Sequence, residues 1–288
     1  NTATRGSRKE FPSVAVIVGE LNKLTIYDGD TPDLDMWMVF NSSGNTVVYT
    51  TVSSVSMMNG VLCIGTDPNT SNYYDGGVKV INFVSEFLRS YSYAQSALYT
   101  ANVEKRNESV VNVTRYTGSE GILVNPNTND VAMTVLPNAP IDSTTGLPIP
   151  TIAVATDGGV SVIKDDGTVV DLTYTISSVA SGDVVFTDRG LAWSSRFYTD
   201  RYIYVFEDSI PSADKTTIPD RIYGDFNQAP FDAVTHLGTT GVDHITADSI
   251  GNGNGLTKLA VEVDPNNSMA SYLTSTYNSG YMTGDIKG

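Results

Sequence analysis

Cysteine and histidine are scarce in this chain of 288 residues, which has one cysteine and two histidines. A single cysteine excludes an intrachain disulfide. Cys63 lies in an apolar, strand-forming run, which predicts a small buried side chain and not a nucleophile. The two histidines, His236 and His244, have no cysteine partners and give only a weak indication of a transition-metal site.

Basic residues are also few, because 17 Lys and Arg stand against 32 Asp and Glu, for a net charge of −15. Nucleic-acid binding needs clustered Lys and Arg, so this balance excludes nucleic acid as a partner. It equally disfavours an anionic membrane surface. No run approaches the roughly 20 apolar residues of a membrane span, so no membrane insertion is predicted.

Motifs of known catalytic chemistry are missing. The sequence has no Gly-x-Ser-x-Gly nucleophile elbow and no Ser-x-Asp-x-Gly-x-x-Trp box of the sialidase type. We therefore expect no enzymatic activity. A glycosidase needs only two carboxylates at a defined separation, and such a pair cannot be picked out of 32 acidic residues.

Residues that favour β-strands are abundant, including 16 tyrosines with many Thr, Val and Ile. One strand-turn-strand cassette occurs twice, first at 59–66 with 76–81, then at 151–156 with 158–163. In both copies an apolar strand ends in Gly-Thr or Ala-Thr and restarts at Gly-Gly-Val-x-Val-Ile. The glycine pair supplies the positive φ angles that a tight turn needs.

A cassette that recurs at blade-like spacing predicts an all-β fold, a single β-propeller of five or six blades over residues 1–288. The alternative architecture is a pair of tandem β-sandwiches. Residues 137–148 are predicted to form a loop from their turn chemistry. Residues 93–104 fit either a short helix or a strand.

An acidic turn at 28–35 gathers four carboxylates within eight residues: Asp28, Asp30, Asp33 and Asp35. Hard cations bind several oxygen ligands, so these aspartates are candidate ligands of a Ca²⁺ ion, although no cofactor is expected and a solvated turn is the favoured interpretation. Pro32 and the missing glycine and distant glutamate depart from an EF-hand loop. In the favoured interpretation, the solvated acidic turn connects two strands.

Aromatic residues offer candidate platforms for a sugar ligand. Tyr73 and Tyr74 lie in a loop rich in Asn, Ser and Asp, which predicts an exposed pair that contacts a glycan. Trp37 and Trp193 could serve in the same way. However, the run 36–40 around Trp37 is so apolar that we expect its inward half to be buried.

Several runs resemble large tail-associated proteins of bacteriophages. They are Asp130-Val-Ala-Met-Thr-Val-Leu136 with its continuation to 142, the run 145–168, and the shorter runs 10–18, 23–30 and 36–40. In that family a propeller-like segment often precedes a concanavalin-like, laminin-G-type lectin domain. The run 272–288 resembles the junction into the lectin domain, so we expect the chain to be a segment of a longer polypeptide.

The resemblance implies a structural protein of the virion, in the phage tail or tail fibre and extracellular once assembled. Its implied partners are other virion proteins and further copies of itself in a homo-oligomer. In this interpretation the propeller is an assembly module beside a receptor-binding lectin domain that serves host recognition. Two alternatives stay open, a propeller that itself binds a host glycan and a glycan depolymerase.

Overall fold

The fold is all-β, as predicted, and the short 3-10 helix at Val103–Lys105 interrupts the strands of the described chain once. A computed structural model describes residues 11–41, 47–48, 50–68, 76–93, 95–99, 103–107, 113–116, 122–173, 180–187, 190–195, 202–207, 210–217, 219–224, 233–234, 242–245, 249–252, 255–258, 271–272 and 286–287. Within these ranges no helix has the length and apolar character to cross a membrane.

The described strands form five sheets. Sheet 1 contains β1 (Ala15–Glu20), β2 (Lys23–Asp28) and β3 (Met36–Asn41). Sheet 2 contains β4 (Thr51–Met58), β5 (Val61–Asp67), β6 (Gly77–Asn82), β7 (Phe87–Tyr91), β8 (Ser96–Tyr99) and β9 (Val113–Tyr116). Sheet 3 contains β10 (Thr128–Thr134), β11 (Thr151–Thr156), β12 (Gly159–Ile163) and β13 (Val169–Leu172).

The two remaining sheets follow in the second half of the chain. Sheet 4 contains β14 (Ser181–Thr187), β15 (Gly190–Ser195), β16 (Tyr202–Glu207), β17 (Arg221–Gly224) and β18 (Ala233–Val234). Sheet 5 contains β19 (Val242–Ile245), β20 (Ser249–Asn252), β21 (Gly255–Lys258), β22 (Ser271–Tyr272) and β23 (Ile286–Lys287). Strand order follows chain order in every sheet, and β17 and β18 pair in parallel.

The chain divides into two compact units, Asn1–Asp171 and Leu172–Gly288. Unit 1 holds sheets 1 to 3, and unit 2 holds sheets 4 and 5. The single domain over 1–288 stays a prediction from the sequence. Residues 93–104, for which the sequence allowed a short helix or a strand, include β8 and the start of the 3-10 helix Val103–Lys105.

Sheet 2 is buried on both faces. One core joins it to sheet 1 and includes Leu62 and Ile64 of β5 with Trp37 of β3. A second core joins it to sheet 3 and includes Cys63 of β5 with Val154 of β11. Successive residues of a strand point to opposite faces, so β5 supplies both cores, and its continuous apolar run follows from that position.

The first strands of the three sheets in unit 1 are neighbours. β1 contacts β4, and β4 contacts β10. The Ser54 hydroxyl of β4 donates to the Asp130 carboxylate of β10 at 2.7 Å, and the Val131 amide donates back to Ser54 at 3.3 Å. These bonds hold β4 beside β10, so the first strands of sheets 2 and 3 are neighbours.

One closure between neighbouring strands occurs three times in the described ranges, and we call it the Thr-Gly closure. A threonine at the last or next-to-last position of a strand donates its hydroxyl to the carbonyl of a glycine that opens the next strand. The pairs are Thr66 and Gly77 at 2.9 Å, Thr156 and Gly159 at 2.8 Å, and Thr187 and Gly190 at 3.0 Å. All three glycines have positive φ angles, a conformation that favours glycine.

The thiol of Cys63 is fully buried, and burial raises its pKa well above the ordinary value. The thiolate is the reactive form of cysteine. We therefore expect iodoacetamide to leave Cys63 unmodified in the folded chain and to modify it once urea has unfolded the protein. Mass spectrometry of the two samples measures this difference, and alkylation at equal rates would contradict the buried position of β5.

Candidate functional site

The acidic turn between β2 and β3 uses its carboxylates to hold the backbone. Asp30 accepts hydrogen bonds from the amides of Ser13 at 2.8 Å and Val14 at 3.1 Å. Asp28 accepts one from the Asp30 amide at 3.0 Å. These bonds attach the start of sheet 1 to the turn, which gives Asp28 and Asp30 a structural role.

The candidate Ca²⁺ site involves Asp28, Asp30, Asp33 and Asp35. Within the described ranges, no group of three or more His, Cys, Asp or Glu is placed to hold a metal ion. A calcium ion at this turn thus stays a hypothesis from the sequence. His236 lies outside the described residues, and His244 lies in β19.

Both tryptophans are buried and offer no open face to a sugar. Trp37 packs edge-on against Phe11 and Phe83, with ring centroids 4.8 and 5.8 Å apart. Trp193 is 1% exposed and belongs to the core of unit 2. The expected burial around Trp37 is confirmed. Tyr73 and Tyr74 lie outside the described residues, so their glycan contact stays a prediction.

A cleft of about 500 Å³ opens within unit 1, between sheets 2 and 3. Its floor is apolar and its rim is polar. The floor is formed by side chains from both sheets: Val61, Val80, Tyr91, Ile152 and Ile163. A volume between about 300 and 1,000 Å³ is typical of small-molecule sites, so we name this space the inter-sheet cleft and take it as the candidate site.

One wall of the inter-sheet cleft is the predicted loop 137–148, which two asparagines attach to sheet 2. The Asn59 side chain donates to the Pro148 carbonyl at 2.8 Å. The Asn82 side chain donates to the Asp142 carboxylate at 3.1 Å. The loop is closed on itself, since Asp142 donates its amide to the Leu147 carbonyl at 2.9 Å. These hydrogen bonds hold the wall in position without a ligand.

Arg89 of β7 brings a positive charge into the inter-sheet cleft. Its guanidinium lies 4.8 Å from the centre of the Tyr91 ring, in the range of a cation-π contact. One terminal nitrogen reaches the Ser96 hydroxyl at 3.5 Å. The Nε atom is buried and has no hydrogen-bond partner in the described chain. An unsatisfied buried donor costs about 1–3 kcal/mol, so a hydrogen-bond acceptor for this atom would be stabilising.

The turn between β12 and β13 forms the opposite wall and carries Lys164, Asp165 and Asp166. Hydrogen bonds from the Thr168 hydroxyl at 2.6 Å and the Thr168 amide at 2.9 Å lower the pKa of the Asp166 carboxyl. Asp166 is thus held ionised. The cleft as a whole is lined by two basic and three acidic side chains, including Asp142.

The inter-sheet cleft is the feature that sequence reasoning missed. Arg89, Asp142 and Asp165 are far apart in the chain and belong to no common motif. The Asp-Gly turn at 166–167 and the asparagines that end strands were the local signals present. None of them indicates which loops face one another.

Comparisons with known proteins assign no family: no family model matches the chain, and no curated protein matches it. One similar solved structure is Chaetomium thermophilum Polycomb Repressive Complex 2 bound to GSK126. It has a TM-score of 0.46 and 15% identity, over 90% of this chain and 51% of that chain. The same complex with H3K27me3 and H3K27M has a TM-score of 0.43 and 14% identity, over 97% and 56%.

A third similar structure is the extracellular domain of a hybrid two-component system from B. thetaiotaomicron. Its TM-score is 0.40 and its identity 14%, over 96% of this chain and 34% of that chain. The chain thus spans about half the length of the first two structures, or less in the third. Scores this low carry no argument about family or function.

Proposed function

We propose that this chain is a propeller-like assembly module of a phage virion, located in the tail or tail fibre beside a receptor-binding lectin domain. The resemblance of several runs to phage tail-associated proteins supports the location. The observation that carries the assembly role is an exposed apolar strand at one edge of sheet 1. The proposed partners are neighbouring virion proteins and further copies of the chain.

Two features of unit 1 support a propeller over tandem β-sandwiches. A sandwich sheet buries one face, whereas sheet 2 has a core on each face. In a propeller, sheets are repeated radially around a central channel. The contacts of β1 with β4 and of β4 with β10 fit sheets that lie side by side as consecutive blades.

The exposed apolar strand is β1, the edge strand of sheet 1. Val16 and Val18 alternate along it and are 39% and 38% exposed, and Val14, directly before the strand, is 58% exposed. We name these three residues the β1 valine stripe. Soluble proteins protect edge strands with charges, prolines or covering segments, and large exposed apolar patches are typical of interaction sites. A neighbouring virion protein seated on the stripe would bury it.

Lysine at two positions of the stripe tests this role. We expect phages that carry Val16→Lys and Val18→Lys together to lose infectious particles by about tenfold or more, because two charges would be buried at the contact. Particle counts by electron microscopy and plaque counts measure the loss. The purified double variant should keep the melting temperature of the parent chain, since both side chains are already exposed.

Val84→Lys is the matched control. Val84 is a similarly exposed valine, 56% accessible, but it lies outside the stripe in the turn between β6 and β7. We expect normal particle numbers from this variant. Normal numbers from the stripe variant as well, at full expression, would remove the basis for an assembly contact at β1.

No catalytic step forms part of this proposal. A glycan depolymerase needs a carboxylic acid with a raised pKa to protonate the leaving group. In the inter-sheet cleft, hydrogen bonds from Thr168 shift the pKa of Asp166 in the opposite direction. The lowered pKa makes Asp166 unsuitable as that proton donor.

A further inference from the structure

We infer that the inter-sheet cleft is a binding site for a neutral, hydroxyl-rich ligand, a short uncharged oligosaccharide. The inference goes beyond the proposed assembly role and does not depend on it. It rests on three observations: a buried donor without an acceptor, opposite charges that line one space without pairing, and an exposed aromatic ring at the rim.

The unsatisfied donor is Nε of Arg89. Arg89 has no ion pair with a carboxylate in the described chain, and its side chain contacts Tyr91, through the ring and a side-chain hydrogen bond, and the distant Ser96 hydroxyl. Buried polar groups in proteins are nearly always hydrogen-bonded. Arg89 also lines the cleft, so its guanidinium can donate to an oxygen of a molecule that occupies the cleft.

The complementary acceptor is Asp165, on the opposite wall. Its carboxylate has neither a hydrogen bond nor an ion pair with the described residues, although Arg89 lines the same cleft. Two opposite charges that face one space without touching leave room for a ligand between them. A hydroxyl group both donates and accepts, so a sugar can satisfy Arg89 and Asp165 at once.

The charge of the lining selects for a neutral ligand. Three acidic side chains stand against two basic ones, and the whole chain carries a net charge of −15. A polyanionic saccharide would meet repulsion from Asp142, Asp165 and Asp166. An uncharged ligand avoids this repulsion and can still use the donors and the acceptors of the lining.

The aromatic ring is Phe87 of β7, which is 41% exposed and lines the cleft. An exposed phenylalanine presents an apolar face, on which the C–H face of a pyranose ring can pack. With the apolar floor of valine and isoleucine side chains, this ring completes a site in which few polar groups fix orientation and apolar surface supplies contact.

Isothermal titration calorimetry with the full chain tests the inference. The probes are neutral gluco-, manno- and galacto-oligosaccharides, matched oligosaccharides that contain uronate, and free amino acids. We expect saturable binding of at least one neutral oligosaccharide, in preference to its uronate counterpart. Arg89→Gln and Asp165→Asn should each weaken it by about tenfold or more, since each removes a charged hydrogen-bonding partner.

Asp33→Asn is the control, the same change at an exposed aspartate outside the cleft, and we expect unchanged binding. Asp165 lies on a surface turn, so its variant tests the site even if Arg89→Gln fails to fold. The inference is overturned if uronate oligosaccharides or amino acids bind in preference. It is also overturned if no neutral probe binds, or if Asp165→Asn binds like the parent.

Discussion

Gly77→Ala is expected to lower the stability of unit 1 by about 3–5 kcal/mol, the sum of backbone strain and overpacking. Gly77 has a φ angle of +89° and opens β6 at a Thr-Gly closure. A Cβ atom there would overlap the carbonyl oxygen of Tyr91 on the neighbouring strand. The backbone of β7 cannot move away without breaking its pairing with β6.

Urea denaturation followed by Trp37 fluorescence measures this loss. The chain has two tryptophans, so a Trp193→Phe background leaves Trp37 of unit 1 as the reporter. A loss of this size corresponds to a drop of about 10 °C in melting temperature for a unit of this length. Gly190→Ala should have a similar effect on unit 2, since its Cβ would overlap the Phe206 carbonyl oxygen.

Gly146→Ala is the control that separates strain from overlap. Gly146 also has a positive φ, +69°, but a Cβ there meets nothing within 4 Å. We expect a loss of about 1 kcal/mol from backbone strain alone. Equal losses in Gly77→Ala and Gly146→Ala would mean that close packing at the Thr-Gly closure contributes nothing.

Trp193→Ala is expected to cost about 3–5 kcal/mol in the stability of unit 2, because a large buried side chain leaves a cavity. The Trp193 ring lies 5.3 Å from Tyr204 and 5.6 Å from Phe206, measured between centroids. All three belong to adjacent strands of sheet 4. The loss of these ring contacts in Trp193→Ala should weaken the pairing of β15 with β16.

Urea denaturation followed by far-UV circular dichroism measures the change. Trp193→Phe should lose clearly less, because it keeps an aromatic ring against Tyr204 and Phe206. Phe87→Ala controls for truncation of an exposed aromatic and should cost less than about 1 kcal/mol. If Trp193→Ala unfolds at the same urea concentration as Phe87→Ala, Trp193 is not a core residue.

The strands could be predicted where the pattern is local. The cassette run 151–156 coincides with β11, and the run 130–136 contains most of β10. The third Thr-Gly closure was missed because Arg189 precedes Gly190, where the two cassettes have a second glycine. Only the positive φ angle of Gly190 and the hydroxyl bond from Thr187 reveal the common geometry.

The candidate site could not be predicted in the same way. Turn chemistry predicted the loop 137–148, and the structure has one there. Its attachment through Asn59 and Asn82 depends on which strands face it, and no short-range pattern encodes that. In the acidic turn, the sequence shows the four carboxylates but not that Asp30 accepts hydrogen bonds from the backbone amides of Ser13 and Val14.

Cryo-electron microscopy of intact phage particles that encode this chain tests the central proposal most directly. The account predicts density for the chain in the tail or tail fibre, with a lectin domain beside it. It also predicts that a neighbouring protein covers Val14, Val16 and Val18. Particles that lack the chain, or that contain it with the β1 valine stripe open to solvent, would contradict the assembly role.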